Sequence, residues 1–441
     1  MKRLALLLAA TFSFVSISFA DSWPQFRGPN GDGKIEGQNI PIKFSESENV
    51  TWKTPLPGKA WSSPVVADGV IWVTTAIEVF PTDEEKIAIM TKQGIEPKKF
   101  KQLQVAKKIE LKLIALDLES GSVKQTIDLT TVDEPDSIHA LNSYASPTPV
   151  IDGENIYCHF GTYGTYCLSR NDGSIKWQRQ LPLAHSVGPG SSPFVYGDSL
   201  VLIQDGTDAQ YVISLDKATG ETNWKTSRPE MDAPDGDQKK AYSTPIAITD
   251  KQGREQLICM ASQWMVSYDP QTGNEIWKVH HGKGFSVVPR PVYEDGVVYF
   301  STGFGKPQLW AVAVDGSGNV TDTHVRWEVS KSIPAKPSPL LHDGLIYVIE
   351  DSGVASCFDA ESGDEVWKKR IGGKFSASPL MAGGYIYLGS HEGTVTVLRP
   401  GKEGTVVAEN QLDGQIMASP AVVDNALILR TADAIYRIES K

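Results

Sequence analysis

The chain has 441 residues, 40% of them hydrophobic and 22% charged, which describes a globular protein rather than a disordered or low-complexity one. Its formal net charge of −11 is a poor match to nucleic acid or to an anionic membrane surface. Four scattered cysteines and no CxxC exclude a disulfide scaffold.

Residues 1–20 read as a signal peptide. Lys2 and Arg3 supply the charged start, Leu4 to Phe19 an apolar run, and Ser18-Phe19-Ala20 a small-residue cleavage site. The run is short and flecked with Ser and Thr, so no membrane-spanning segment is expected. Cleavage removes two positive charges and takes the net charge from −11 to −13. No Cys follows the cleavage point, so the expected location is periplasmic or extracellular, without a lipid anchor.

The next stretch, DSWPQFRGPNGDGKIEG, holds Asn30, Asp32, Gly33 and Ile35 at the offsets of a calcium loop. With Gly33 sixth, however, the first and twelfth positions are Gly28 and Asn39, where carboxylates are needed. Residues 21–48 are therefore read as an anchoring segment that packs Trp23 and Phe26 onto the fold behind it.

From residue 49 onward the chain repeats itself. A small-residue–Pro pair recurs at Ser63-Pro64, Ser146-Pro147, Ser192-Pro193, Thr244-Pro245, Ser338-Pro339, Ser378-Pro379 and Ser419-Pro420, with Arg290-Pro291 as a degenerate eighth copy. Each pair leads into a short strand and a tight turn such as Asp68-Gly69 or Asp343-Gly344. A second strand follows (VIWV, LIYV), then a third ending in Asp (ALD, SLD, CFD), a second turn such as Thr219-Gly220, and a fourth strand carrying Trp177, Trp224, Trp277, Trp327 or Trp367. Four short antiparallel strands per unit describe propeller blades. The expected fold is all-β, an eight-bladed β-propeller over residues 49–440. The last copy lacks a fourth strand, and residues 49–56 (NVTWKTPL) supply it, closing the ring. The recurrent Trp residues are read as packing between blades. Cys167 and Cys357 share one repeat position, which reads as a small core site; a Cys158–Cys167 hairpin disulfide is the alternative.

Residues 78–110 interrupt the first blade. Thr82 and Glu85 form a capping box, and Ile87 and Met90 begin an apolar stripe, so a short helical insertion is expected, drawn as a helical hairpin leaning on one face. That face also receives the long links 129–143, 182–190, 228–241 and 281–288. Long loops on a rigid ring are where binding groups concentrate.

The mouth of the channel should lie three residues before each pair's proline: Trp61, Tyr144, Gly190, Tyr242, Val288, Lys336, Ser376 and Met417. Aromatic rings with a cation suit a planar ligand or a peptide, and they also suit a packed plug. Turns between second and third strands add Trp264, Asp205, Glu350-Asp351, His391-Glu392 and Asp433; the acids read mainly as solvated loop charge. The ligand candidates are Trp61, Tyr144, Tyr242, Trp264, Lys336 and His391. No catalytic residue or metal is indicated: GxSxG is absent, and His391-Glu392 lacks the second His of HExxH.

The pattern ALD..TG...W after SP...DG.IYV resembles the pyrroloquinoline quinone (PQQ) repeat family over nearly all of residues 49–440. WPQFRGPNGDG, NSYASPTP and HFGTYGT are similar to exported PQQ-like repeat proteins. The resemblance implies an eight-bladed ring. The family includes quinoprotein dehydrogenases as well as the non-enzymatic B lipoprotein of the outer-membrane β-barrel assembly machinery. Many of the dehydrogenases stack the quinone on an adjacent-cysteine disulfide beside Ca²⁺ held by Glu, Asn and Asp; this chain has no adjacent cysteines and no stretch matching that set. The lipoprotein's N-terminal Cys is also absent. The expectation is a monomeric, non-catalytic scaffold for a protein or cell-envelope partner on the loop-rich face, with no cofactor. The alternatives are a PQQ- and Ca²⁺-dependent oxidoreductase of the alcohol or sugar dehydrogenase type, and a carbohydrate-binding propeller.

Overall fold

The computed structural model describes residues 22–36 and 39–440; the signal-peptide reading lies outside them. Eight sheets of antiparallel strands follow one another around a ring. Their innermost strands are Val65–Ala67, Val150–Asp152, Phe194–Tyr196, Ile246–Thr249, Val292–Glu294, Leu340–His342, Leu380–Ala382 and Ala421–Val423, numbered here as blades one to eight. The innermost strand of blade eight lies beside that of blade one, which closes the circle. Val50–Pro55 forms the outer strand of blade eight, pairing Lys53 with Tyr436 and Pro55 with Ala434. An otherwise free edge is thereby covered.

The repeat motif has a direct physical role. In blade three, Asp216 Oδ1 accepts from the backbone N–H groups of Ala218 and Thr219 at 3.0 and 2.8 Å, which fixes the turn between third and fourth strands. The turn ends on Gly220, whose φ of +74° favours glycine. On this turn rests Trp177 of blade two, whose Nε1–H donates to Lys217 O at 3.1 Å. Trp52, Trp224, Trp327 and Trp367 dock on the following blade by equivalent bonds to Leu118, Pro270, Ala360 and Gly401. Aspartate, glycine and tryptophan thus form one joint between neighbouring blades, and the closing strand supplies the joint between blades eight and one. Trp277 departs from the rule: its Nε1–H donates to Gln256 Oε1 within its own blade, and Gly318–Asn319 pairs beside it as an added edge strand.

A Cβ on Gly220 would lie 2.8 Å from the Trp177 ring. Gly220→Ala is expected to cost about 2–3 kcal/mol, from left-handed backbone strain plus the displaced indole. Gly253 has a similar φ of +82° and open space around its Cβ, so Gly253→Ala carries the strain alone, about 1 kcal/mol. Urea midpoints of the two variants check this; equal losses would refute the joint.

The four cysteines are free and buried. Cys158 pairs across the ladder with Tyr166, and Cys167 with Tyr157. The two thiols are therefore one register step out of opposition and point to opposite faces of the sheet. The insertion is a single helix, Asp83–Lys92, with the Thr82–Glu85 capping box, followed by a 3₁₀ segment, Pro97–Gln102, rather than a helical hairpin. Its stripe is narrow: Met90 is buried while Ile87 is 55% exposed. The flanking strands run ten residues each, Val70–Val79 and Lys108–Asp117, and lift the insertion over the loop-rich face.

Candidate functional site

Residues 22–36 enter the channel from the tight-turn side. Trp23 exchanges both backbone hydrogen bonds with Val66 of blade one, at 2.8 and 2.9 Å. Pro24 O accepts from Ile151 N of blade two, and Gly33 O from Met381 N of blade seven. Arg290, the odd member of the small-residue–Pro series, turns its side chain inward and donates to Phe26 O at 2.6 Å and to Pro245 O at 2.9 Å. The glycines of the opening stretch make room for these groups; a Cβ on Gly31 would lie 2.3 Å from Arg290 Nη1. The calcium-loop offsets are thus a packing solution, and Asp32 Oδ1 accepts from Lys34 N instead.

This plug leaves a funnel of about 570 Å³ open toward the loop-rich face, with Phe26 on its wall. Trp61, Tyr242 and Lys336 line it. Tyr144 does not. The inner strand of blade two begins at Val150, directly after Thr148-Pro149, so that pair is the equivalent of Ser63-Pro64 and the repeat sits two residues later than Ser146-Pro147 suggests. The wall position in blade two is then Ser146, and with that shift all eight repeat positions line the funnel. Tyr144 is fully buried, its hydroxyl donating to Asp136 O at 2.9 Å and its ring edge-on to Tyr163. Trp264 also lies away from the funnel, bonded to Glu230 O and packed edge-on to His280. His391 stands behind the wall, with Nε2 2.9 Å from Ser376 Oγ.

Below the mouth run two arcs of hydroxyls. Ser63 N donates to Thr148 Oγ1, Thr148 N to Ser192 Oγ and Ser192 N to Thr244 Oγ1. Arg290 N donates to Ser338 Oγ, Ser338 N to Ser378 Oγ and Ser378 N to Ser419 Oγ. Each of these six hydroxyls is buried on the funnel wall and accepts one backbone N–H from the preceding blade. None donates its own proton to a protein acceptor among the described residues. The recurrent small residue before proline is therefore a hydroxyl for a reason: it links blades and keeps a free proton on a residue of the funnel wall. Reading it only as small missed that.

The mouth is cationic although the chain is acidic. Lys99, Lys240 and Lys336 line the funnel against one carboxylate, Asp237. Asp237 is already held by Ser186 Oγ at 2.7 Å, Lys240 Nζ at 2.9 Å and Lys99 Nζ at 3.1 Å. Lys336 reaches Asp351 at 3.3 Å. Burial, and then the positive field of Lys336, Lys240 and Lys59, lowers the pKa of His139 on the funnel wall. Beneath Phe26, burial pushes Arg27 down to about 10 and Arg290 to about 9, so both stay charged at neutral pH. Apolar surface completes the rim: Leu141 is 49% and Phe304 37% exposed.

These residues do not fit a calcium–quinone site. Among the described residues Asp237 is the only carboxylate on the wall and is committed to three donors, and no cysteine lines the funnel. Among the described residues no group of three His, Cys, Asp or Glu side chains is placed to hold a metal. The loop acids took other roles as well. Asp205, read as solvated, is fully buried against Arg228.

Comparison with known proteins places the ring in a family. The profile described as outer membrane protein assembly factor BamB matches residues 42–226 and 261–407. BamB of Alkalilimnicola ehrlichii is 25% identical over 200 residues, 44% of this chain and 50% of the relative. BamB of Alteromonas naphthalenivorans is 23% identical over 249 residues, 51% of this chain and 55% of the relative. The chain thus spans about half the length of these curated relatives. Among solved structures, BamB from Moraxella catarrhalis superposes with a TM-score of 0.54 at 14% identity, over 76% of this chain and 94% of that one. A europium-containing methanol dehydrogenase superposes with a TM-score of 0.67 at 12% identity, over 94% and 90%. At such identities the superpositions speak for the fold alone. The profile covers well over half of the chain and coincides with its blades, and the chain belongs to the PQQ-like β-propeller family described as outer membrane protein assembly factor BamB.

Proposed function

We propose that this protein is a docking scaffold of the cell envelope that binds another protein through the loop-rich face. The observation that carries the reading is the funnel with its apolar rim, set in a ring that is sealed on the other side by its own N-terminal segment. Exposed Leu141 and Phe304 beside a preformed concavity are the kind of surface that buries an anchor side chain of a partner. Family membership supports it, since the relatives are named as assembly factors. An envelope location is in keeping with those names, and no helix among the described residues is long and apolar enough to cross a membrane.

A photo-crosslinking residue placed at Leu141 or Phe304 in the producing cell tests the reading. It is expected to give a discrete adduct larger than the chain itself. The same residue at Asp198, on the tight-turn face and 96% exposed in its side chain, is expected to give none. Equal labelling from both faces, or none from the rim, would remove the proposal.

A further inference from the structure

We propose that the funnel is built to receive the free C-terminal carboxylate of a partner polypeptide whose last side chain is large and apolar. The inference rests on the protein-docking reading and names what enters. Three observations converge. First, the funnel is a dead end. Phe26 and the strand-paired segment around it fill the channel below, so a chain cannot thread through. A terminus can enter where an internal segment would have to double back. Second, Thr148, Ser192, Thr244, Ser338, Ser378 and Ser419 line the funnel, and each hydroxyl accepts a backbone N–H while its own proton has no protein acceptor among the described residues, which leaves six donors on the wall. Donors in that number suit an anion that only accepts. Third, the charge is complementary. Lys99, Lys240 and Lys336 line the funnel and Arg290 bonds to Phe26 O, against Asp237, held by three donors, and Asp351, which pairs with Lys336: four cations to two carboxylates. A terminal ammonium would meet this field with repulsion. Phe26, Trp61, Val288, Phe285 and Met417 give the terminal side chain an apolar wall, and about 570 Å³ lies within the roughly 300–1,000 Å³ of small-ligand pockets. Capture of a chain terminus by convergent donors is an established mode of peptide recognition.

The probe is a fluorescein-labelled glycine–serine octapeptide ending in leucine–phenylalanine with a free carboxylate, titrated with the mature chain and read by fluorescence anisotropy. Its C-terminal amide is expected to bind about ten-fold more weakly, the loss of one charge-assisted contact. A peptide with the same two residues placed internally should also bind more weakly. Lys336→Gln, at a partly exposed site, is expected to reduce the preference for acid over amide several-fold while leaving the urea midpoint unchanged. Equal affinity of acid and amide overturns the inference, as does saturation only above ~1 mM. Tighter, Lys336-dependent binding of an oligogalacturonate overturns it in favour of an acidic sugar. If the octapeptide fails while Leu141 still crosslinks to a partner, protein docking stands and only the carboxylate assignment falls.

Discussion

Asp205→Ala is expected to lower the unfolding free energy by about 3–5 kcal/mol. The carboxylate lies at the end of the second strand of blade three, with its side chain fully buried. Arg228 donates from Nε at 3.0 and 3.1 Å to its two oxygens and from Nη2 to Oδ2 at 3.0 Å. The same guanidinium reaches Met260 O at 2.7 Å, so it ties blade three to blade four. Burial works most strongly against the arginine charge, and Asp205, by attraction and hydrogen bond, together with Tyr268 and Cys259 outweighs it, holding the guanidinium above its ordinary value. Removing the carboxylate strands a cation where water cannot reach it, and that is the expensive half of a buried pair. Replacing both partners with apolar residues should restore much of the stability. Urea unfolding of the two variants decides it; a loss below about 1 kcal/mol for the single variant would show that Arg228 finds another partner.

Acidification is the second large effect. Burial pushes His159 down to about 3 and His185 and His281 to about 4. Their rings are neutral in the folded protein at any pH well above those values. In the unfolded chain they titrate near 6.5. Below pH 6.5 the unfolded chain therefore binds up to three more protons than the folded one. Stability is complete above pH 6.5 and falls as the pH drops toward 4, at up to about 4 kcal/mol per pH unit. Between pH 7 and 5 these three rings should contribute a loss of about 6 kcal/mol, offset by about 1 kcal/mol from Asp205, which burial raises to about 6 and which takes up a proton in the folded state over this range. The physical cause is visible in the packing. His281 lies against Phe300 with Nδ1 unpartnered, and His159 is held between Thr165 and Gln204. His281→Gln should remove about a third of the pH dependence. Urea midpoints at pH 7, 6 and 5 measure it, and a flat profile would mean that these rings accept protons without unfolding.

Much of the architecture was written locally. Asp-Gly turns, alternating apolar strands and an outer-strand tryptophan in six of the eight blades recur in register, because the blades solve the same packing problem against their neighbours. The closing strand at residues 49–56 was legible for the same reason: an eighth blade lacked a strand, and Trp52-Lys53 matched the others. The position of blade two was not legible. Two small-residue–Pro pairs stand side by side there, Ser146-Pro147 and Thr148-Pro149. Only the hydrogen bonds from Ser63 N to Thr148 and from Thr148 N to Ser192, made across blades, choose between them. Tyr144 went into the core and Ser146 onto the wall as a consequence.

The sequence by itself determined the ring, its blade count, its closure and the face that carries the long loops, since each is a property of one repeat or of its spacing. The tertiary structure alone decided the funnel. Phe26, Lys99, Lys240 and Lys336 are far apart along the chain, and no local pattern links them; the channel axis brings them together. It also decided that Asp205 is buried, that the opening glycines make room for arginines, and that six of the eight residues before a proline use their hydroxyls to link blades. Those outcomes depend on which neighbour stands across the gap, and a one-dimensional pattern does not contain that neighbour.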